Sequence, residues 1–362
     1  MNAPEQAAVI QNRHANTVTE PNYPMNCWWM AARSEEVGRT PLGLWMLDEP
    51  IVLYRKEDGT VVALDNRCPH RWAPLSDGKL EGDEIACPYH GLRFGAQGEC
   101  THIPSQTQIP SKARVKSYPV IESGPTIWLW MGAPELADPK LLPDVSWLSD
   151  PKWRWVSGTT VVDANFRLLK ENVLDLTHIP HVHGNSIGAS DWTNPPEVTV
   201  NEQGHVTYTQ HFPAGPLAPP YRMAIGVGPD KVMSRKNWGT SVTPAYHQGF
   251  VDFTDPAPGP GDRSEFQFSV CHVTTPISPT QFIYRWYMGW DIPLTPEFLE
   301  GMLKAVQVGY AEDKKILEAV QNMIVRDPRG MHYPEVLLQA DQAAMRFRRG
   351  LDAALAKERK DI

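Results

Sequence analysis

Cysteine is scarce in this chain: five residues in 362, at Cys27, Cys68, Cys87, Cys100 and Cys271. So sparse and odd a set makes a poor disulfide framework and fits a reducing compartment. Basic charge is not in excess either, since 34 Lys and Arg stand against 42 Asp and Glu for a net charge of −8. That balance argues against a nucleic acid or an anionic membrane as partner. No window approaches the ~20 consecutive apolar residues of a membrane-spanning helix, and no period of about 20–50 residues marks a solenoid. The opening MNAPEQAAVIQNRHANTVTEPN lacks the basic start and apolar run of a secretory signal. Residues 1–22 are therefore expected to be a mobile polar leader, and the chain is expected in the cytoplasm.

What is there suggests two domains, at roughly 150 residues each. From residue 23 to about 140 the text alternates short β-type runs with turn signals, as in IVLYRKEDGTVVALDNR with its Asp58-Gly59 turn. This reads as a small antiparallel β domain, closed by the polar stretch APELADPKLLPDVSW. Residues 141–362 mix helix and strand. NFRLLKENVLDLTHI is expected to be helical, and runs such as PEVTVNEQGHVTYTQHF and TQFIYRWYMGW form a curved antiparallel sheet. Pro/Gly-rich stretches 212–220 and 255–263 are expected loops. A long helix starts at the Thr295 cap with Pro296 in its first turn, and a last amphipathic helix is expected over Pro334–Lys357.

Two groups of residues carry chemistry. Cys68-Pro-His70 is followed by Cys87-Pro-Tyr-His90, which places two thiolates and two imidazoles around one small volume. Zinc takes such a set as a tetrahedron. A [2Fe–2S] cluster of the Rieske kind takes it as two Cys on one iron and two His on the other. The remaining cysteines, Cys27, Cys100 and Cys271, have no spacing partner and are expected to pack as small apolar side chains.

In the second group, Asn172, Asp175 and His178 fall at i, i+3 and i+6 of the expected helix, a polar stripe bordered by leucines. Such a stripe is costly to bury unless its members are paired or bind a metal. His183 lies five residues beyond His178, off the same face, but Pro180 is expected to break the turn and swing it back. His181 is a rival on spacing alone. A site with two histidines and a carboxylate holds non-haem iron, and the long helix offers Asp313 within an apolar stripe running through Val306, Tyr310, Ile316, Leu317, Val320 and Met323. The alternative for Asp313 is a salt bridge to a core arginine such as Arg167. Its neighbour Glu312 points about 100° away, toward a more polar flank.

The text NRCPHRWAPLSDGKLEGDEIACPYHGLRFGAQGEC closely resembles the Rieske signature C-x-H…C-x-x-H-G. Followed by N-x-x-D-x-x-H-x-x-x-x-H, it resembles the Rieske non-haem iron oxygenases, and more narrowly the group of vanillate O-demethylase, dicamba O-demethylase and toluenesulfonate methyl-monooxygenase. The likeness runs from NCWWMAARSEEVGRTPLG through LDLTHIPHVHGNSIG to YAEDKKILEAVQ. It implies an α+β chain, with an N-terminal all-β Rieske domain and a C-terminal helix-grip catalytic domain. It makes Cys68, His70, Cys87 and His90 the ligands of a [2Fe–2S] cluster, and His178, His183 and Asp313 those of a mononuclear Fe(II), with His181 left out. Asp175 matches the residue linking one subunit's cluster histidine to the next subunit's iron histidine, and Asn172 matches an asparagine lining the iron site.

The resemblance further implies a head-to-tail homotrimer and a separate flavin/iron–sulfur reductase passing electrons from NAD(P)H. The reaction it implies is O2-dependent O-demethylation of a methoxylated, vanillate-like aromatic acid to a phenol and formaldehyde. The alternatives are aryl-methyl or ring hydroxylation at the same iron, a non-catalytic Rieske electron carrier with a ligand-binding module, and a zinc-structured interaction protein. His247 and Asn237 are candidate substrate contacts. Arg222, Arg235 and Lys236 are expected as surface charges, or else as contacts to an anionic substrate.

Overall fold

The computed structural model describes residues 23–184, 186 and 195–359, so the leader expected over residues 1–22 lies outside the described residues. The chain divides into two compact units. The first runs as far as Ser146 and takes in Thr275–Pro279 and the chain from Glu358; the second is Trp147–Thr274 with Thr280–Lys357.

The first unit is built from ten short strands: β1 (Trp28–Arg33), β2 (Leu42–Met46), β3 (Glu49–Arg55), β4 (Val61–Asp65), β5 (Lys79–Glu81), β6 (Glu84–Ala86), β7 (Arg93–Phe94), β8 (Cys100–His102), β9 (Val120–Ser123) and β10 (Thr126–Trp130). They form three small antiparallel sheets, β2-β3-β4, β5-β6-β7-β8 and β1-β10-β9. Runs such as EPIVLYR and VVALD are apolar nearly throughout because both of their faces are covered. Val52, Tyr54, Leu64, Ile85 and Phe94 share one core with Cys68 and Cys87, so the two thiols sit at the apolar centre of this unit.

The second unit is a seven-stranded sheet in the order β11-β17-β16-β15-β14-β13-β12. Its strands are β11 (Arg154–Val162), β12 (Glu197–Val200), β13 (Val206–Pro216), β14 (Val232–Ser241), β15 (Tyr246–Thr254), β16 (Glu265–Ser278) and β17 (Gln281–Trp290). Its helices are α1 (Phe166–Leu174), α2 (Ile179–Val182), α3 (Pro219–Ile225), α4 (Pro296–Arg326) and α5 (Gln342–Glu358). The α+β organisation is as expected, and α4 starts where its cap predicts, with the Thr295 side chain accepting from the Phe298 amide. Two hydrogen bonds tie α4 to the end of β11 and the start of α1: Lys314 donates to the Val161 carbonyl at 2.6 Å, and the buried Gln321 accepts from the Asn165 amide at 2.7 Å.

Several local expectations are corrected. Residues 212–220 are not a loop, because β13 continues to Pro216 and α3 begins at Pro219. The last helix begins at Gln342 rather than Pro334. The Asp341 carboxylate accepts from the Leu338 amide and starts the helical turn there, leaving the residues after Pro334 non-helical. On α4 the buried line is Gly309, Asp313, Leu317, Gln321 and Ile324, while Ile316 and Met323 face outward.

Candidate metal centres

The cluster loops of the first unit are two copies of one turn. The Cys68 amide donates to Ala73 O and its carbonyl accepts from Trp72 N; the Cys87 amide donates to Leu92 O and its carbonyl accepts from Gly91 N. Both turns need a left-handed residue, Trp72 at φ 62° and Gly91 at φ 71°. At Gly91 a Cβ would stand 3.0 Å from Pro104 Cγ, so glycine suits both the backbone and the space. The thiols point inward and burial pushes Cys68 up to about 11. His70 and His90 lie on the exposed rim with ring centroids 4.5 Å apart. A single tetrahedral zinc would hold its ligand atoms within about 4 Å of one another. Among the described residues no three of these four atoms come within 4.8 Å. The two buried thiols and the two rim imidazoles divide into two pairs, which suits a two-iron cluster that Cys68 and Cys87 would hold at one iron and His70 and His90 at the other.

The second centre is where the expected single helix breaks. Helix α1 stops at Leu174, and Asp175 is extended, its carboxylate accepting from the Thr177 amide (2.9 Å) and hydroxyl (2.7 Å). This capping reverses the chain into a 3₁₀ turn, Leu176–His178, followed by α2. Asn172, Asp175 and His178 therefore do not share one helical stripe. Pro180 does not break a helix either; it sits in the first turn of α2, where its missing N–H costs nothing.

The result brings His178, His183 and Asp313 together, with one ligand atom of each within 4.8 Å of the others. Asp313 Oδ1 lies 3.2 Å from His183 Nε2 and 3.6 Å from His178 Nε2, and accepts from Asn172 Nδ2 at 3.1 Å. His178 Nδ1 faces the Asp175 carbonyl at 2.5 Å, and His183 Nδ1 faces Glu312 Oε2 at 2.9 Å. With Nδ1 engaged on both rings, each Nε2 is left to offer its lone pair to an ion. Burial lowers the pKa of His178. Burial works the same way on His183, but hydrogen bonds to Asp313 and Glu312 outweigh it and hold that pKa up. The set has the chemistry of a two-histidine, one-carboxylate iron site with open positions. His181 is exposed, and Arg167 pairs with Asp352 rather than Asp313.

The inner face of the sheet lies beside this trio. His272 Nδ1 is 2.6 Å from the Tyr284 hydroxyl, and both rings meet Tyr310, one turn before Asp313 on α4. Trp286 packs on Tyr310 at 4.8 Å and over Gly158, where a Cβ would fall 2.2 Å from the indole. His247 is buried, bonded through Nδ1 to the Ser241 hydroxyl and 5.7 Å from His272. Asn237 is 1% exposed, and neither polar atom of its amide has a partner among the described residues. Arg235 is not a surface charge: strand alternation turns it inward, 4% exposed, with its guanidinium over Phe212 and Tyr221.

Sequence reasoning missed four residues here. Glu312 had a signal, its place beside Asp313, but helical phase alone turns it away. His272, Tyr310 and the buried Lys170 gave none, since register and packing bring them together.

Residues 27–119 match the family described as the Rieske [2Fe-2S] domain, and residues 162–357 match the vanillate O-demethylase oxygenase C-terminal domain. The chain is 33% identical to the toluene-4-sulfonate monooxygenase system iron-sulfur subunit of Comamonas testosteroni, covering 92% of this chain and 97% of that one. It is 32% identical to the vanillate O-demethylase oxygenase subunit of Pseudomonas sp. strain HR199, covering 93% and 96%. A crystal structure of dicamba monooxygenase bound to dicamba superposes with TM-score 0.83 at 31% identity, over 93% of this chain and 99% of that one.

Proposed function

Since the chain belongs to the Rieske non-haem iron oxygenases, as the oxygenase component of a monooxygenase system, we propose that it O-demethylates a methoxylated, vanillate-like aromatic acid. Its cofactors are a [2Fe–2S] cluster and a mononuclear iron, and it works with a separate reductase on an aromatic substrate. In this reading Cys68 and Cys87 hold one cluster iron, His70 and His90 the other, and His178, His183 and Asp313 hold the mononuclear iron. The observation that carries it is the His178–His183–Asp313 trio, with His183 and Asp313 buried and both histidine Nδ1 atoms engaged.

When bound, the cluster delivers single electrons and the ferrous iron activates O2 for insertion into a C–H bond. The residues of the chain do the positioning. Asn172 fixes the Asp313 carboxylate, Glu312 fixes the His183 ring, and the Asp175 carbonyl fixes the His178 ring. His247 and Asn237 line the substrate side. A hydroxylated aryl methyl ether is a hemiacetal that collapses to a phenol and formaldehyde. Each turnover consumes O2, NAD(P)H and a proton, and releases water and NAD(P)+.

The same reading includes a head-to-tail homotrimer. Asp175 and His178 open onto a cleft of about 450 Å³ edged by the exposed Val336 and Leu337. The cluster histidines of the first unit sit on a rim carrying the exposed Trp72 and Tyr89. One copy's rim seated in the next copy's cleft would let Asp175 link cluster to iron. A cytoplasmic location belongs to this reading as well; no described helix is long and apolar enough to cross a membrane. The second reading, aryl-methyl hydroxylation, draws on the relative named for toluene-4-sulfonate.

The test is a formaldehyde-release screen over methoxybenzoates and aryl-methyl substrates with a vanillate-type reductase supplied. Formaldehyde from a methoxybenzoate is the expected result. Alcohol products from aryl methyls, with no formaldehyde from any methoxyarene, would overturn O-demethylation in favour of the second reading.

A further inference from the structure

Helix α1 carries a lysine on its packed face. Lys170 is 0% exposed, and its Nζ has no hydrogen-bond partner among the described residues. Among the described residues no carboxylate pairs with it. Burial pushes its pKa down to about 7, and the one neighbour working against that is Cys271, a buried thiol itself pushed up to about 12 and so uncharged. Keeping the ammonium form there without a counter-charge costs the fold stability that an apolar side chain of the same length would not.

Its position relates this cation to the iron site. His247 and His272, on the inner face of the sheet, both feel the Lys170 charge, and burial keeps both rings neutral, His272 at about 3. Lys170 stands on α1, two residues before the Asn172 that donates to Asp313 at 3.1 Å, and His272 meets Tyr310, one turn before Asp313 on α4. A second orphan shares that sheet face. Asn237 stands in register with Val251, and four residues on, Ser241 stands in register with His247, so strand alternation places Asn237 and His247 on one side. Two buried polar groups without partners among the described residues, a lysine on the helix that supports the trio and an amide on the sheet, suit an anionic, polar-substituted ligand.

We infer that Lys170 is the specificity-determining cation of the substrate pocket, supplying the counter-charge to the anionic group of an aromatic carboxylate or sulfonate whose reacting methyl faces the His178–His183–Asp313 trio. This rests on the proposed oxygenase chemistry and adds the basis of substrate choice. The lysine is a positioning residue: an arriving anion supplies the counter-charge that the fold does not, which separates charged from neutral arenes.

The test titrates the iron-loaded holoenzyme calorimetrically with 4-methoxybenzoate, 4-methoxybenzenesulfonate and the uncharged 4-methoxybenzamide. The wild-type protein should bind at least one anion more tightly than the amide, and the benzoate and sulfonate arms show which anion the pocket is shaped for. Lys170→Met should weaken the preferred anion by about 100-fold and the amide by less than about threefold, keep its iron content, and melt about 2–4 °C higher without ligand. Equal losses for anion and amide, unchanged anion binding, no anion preference in the wild type, or a variant that loses fold or iron each overturn the inference, because it makes the empty cation a burden rather than a support. Anion binding that collapses in Lys170→Met while no methoxyarene releases formaldehyde leaves the cation's role standing and removes only O-demethylation.

Discussion

The two candidate metal centres of this chain are built by opposite means. The cluster loops come from 23 contiguous residues, Cys68 to His90, folded as two copies of one turn, with thiols inside and imidazoles exposed. The mononuclear site draws on α1, the turn after it, α2 and a helix more than a hundred residues later, and its carboxylate and one histidine are buried. The first site is held by backbone hydrogen bonds within its own loops. The second is held by side chains, through Asn172 on Asp313, Glu312 on His183 and Gln321 on the start of α1. A local site can therefore be lost alone, whereas the assembled one should fail in graded steps as its supports are removed.

The largest expected effect separates the two centres outright. Asp313→Ala should lose the mononuclear iron and all turnover while keeping the visible colour of the cluster; metal analysis should fall from three irons per chain to two. Retention of all three would move the ligand role to Glu312 or another carboxylate. Next comes the residue proposed to join the centres. Asp175→Asn keeps an oxygen for the Thr177 amide, so the turn and both metals should survive, yet turnover should nearly vanish. Full activity in that variant would sink the link between cluster and iron. A smaller, graded loss is expected from Glu312→Gln, which keeps a hydrogen bond to His183 Nδ1 but removes its charge. Iron affinity should drop about 10–100-fold, with the cluster untouched, as read by chelator competition against the wild type.

The same contrast decides what was legible in the sequence. The grouping of Cys68, His70, Cys87 and His90 could be read because the turns that place them are written around them. Asp313 could be read because a carboxylate in an apolar stripe demands a partner. The stripe itself was read too regularly, since Ile316 and Met323 face outward. The break at Asp175 was not legible, because an aspartate inside a helical pattern signals a cap only once its carboxylate is seen on Thr177. Lys170 carried no signal in the sequence, and only packing shows that no solvent reaches it.

The smallest expected effect tests the likeness between the two cluster loops. Trp72 and Gly91 hold equivalent left-handed positions, but only tryptophan pays for its Cβ there, at about 1–2 kcal/mol. The indole is 74% exposed, so little apolar burial offsets that strain. Trp72→Gly removes it and costs about 0.5–1 kcal/mol of extra unfolded-chain entropy. The net should be a stabilisation of about 0.5 kcal/mol, a rise of roughly 1–2 °C in the temperature at which the cluster colour bleaches. The reciprocal change, Gly91→Ala, adds a Cβ at φ 71° and 3.0 Å from Pro104 Cγ, and should lower that temperature by more than the first change raises it. If Trp72→Gly raises the bleaching temperature yet slows electron delivery to the iron, the strained, exposed indole serves the docked partner rather than the loop, as strain held at a functional rim would predict. A lower bleaching temperature in Trp72→Gly would show that the two loops, alike in hydrogen bonding, are not alike in what stabilises them.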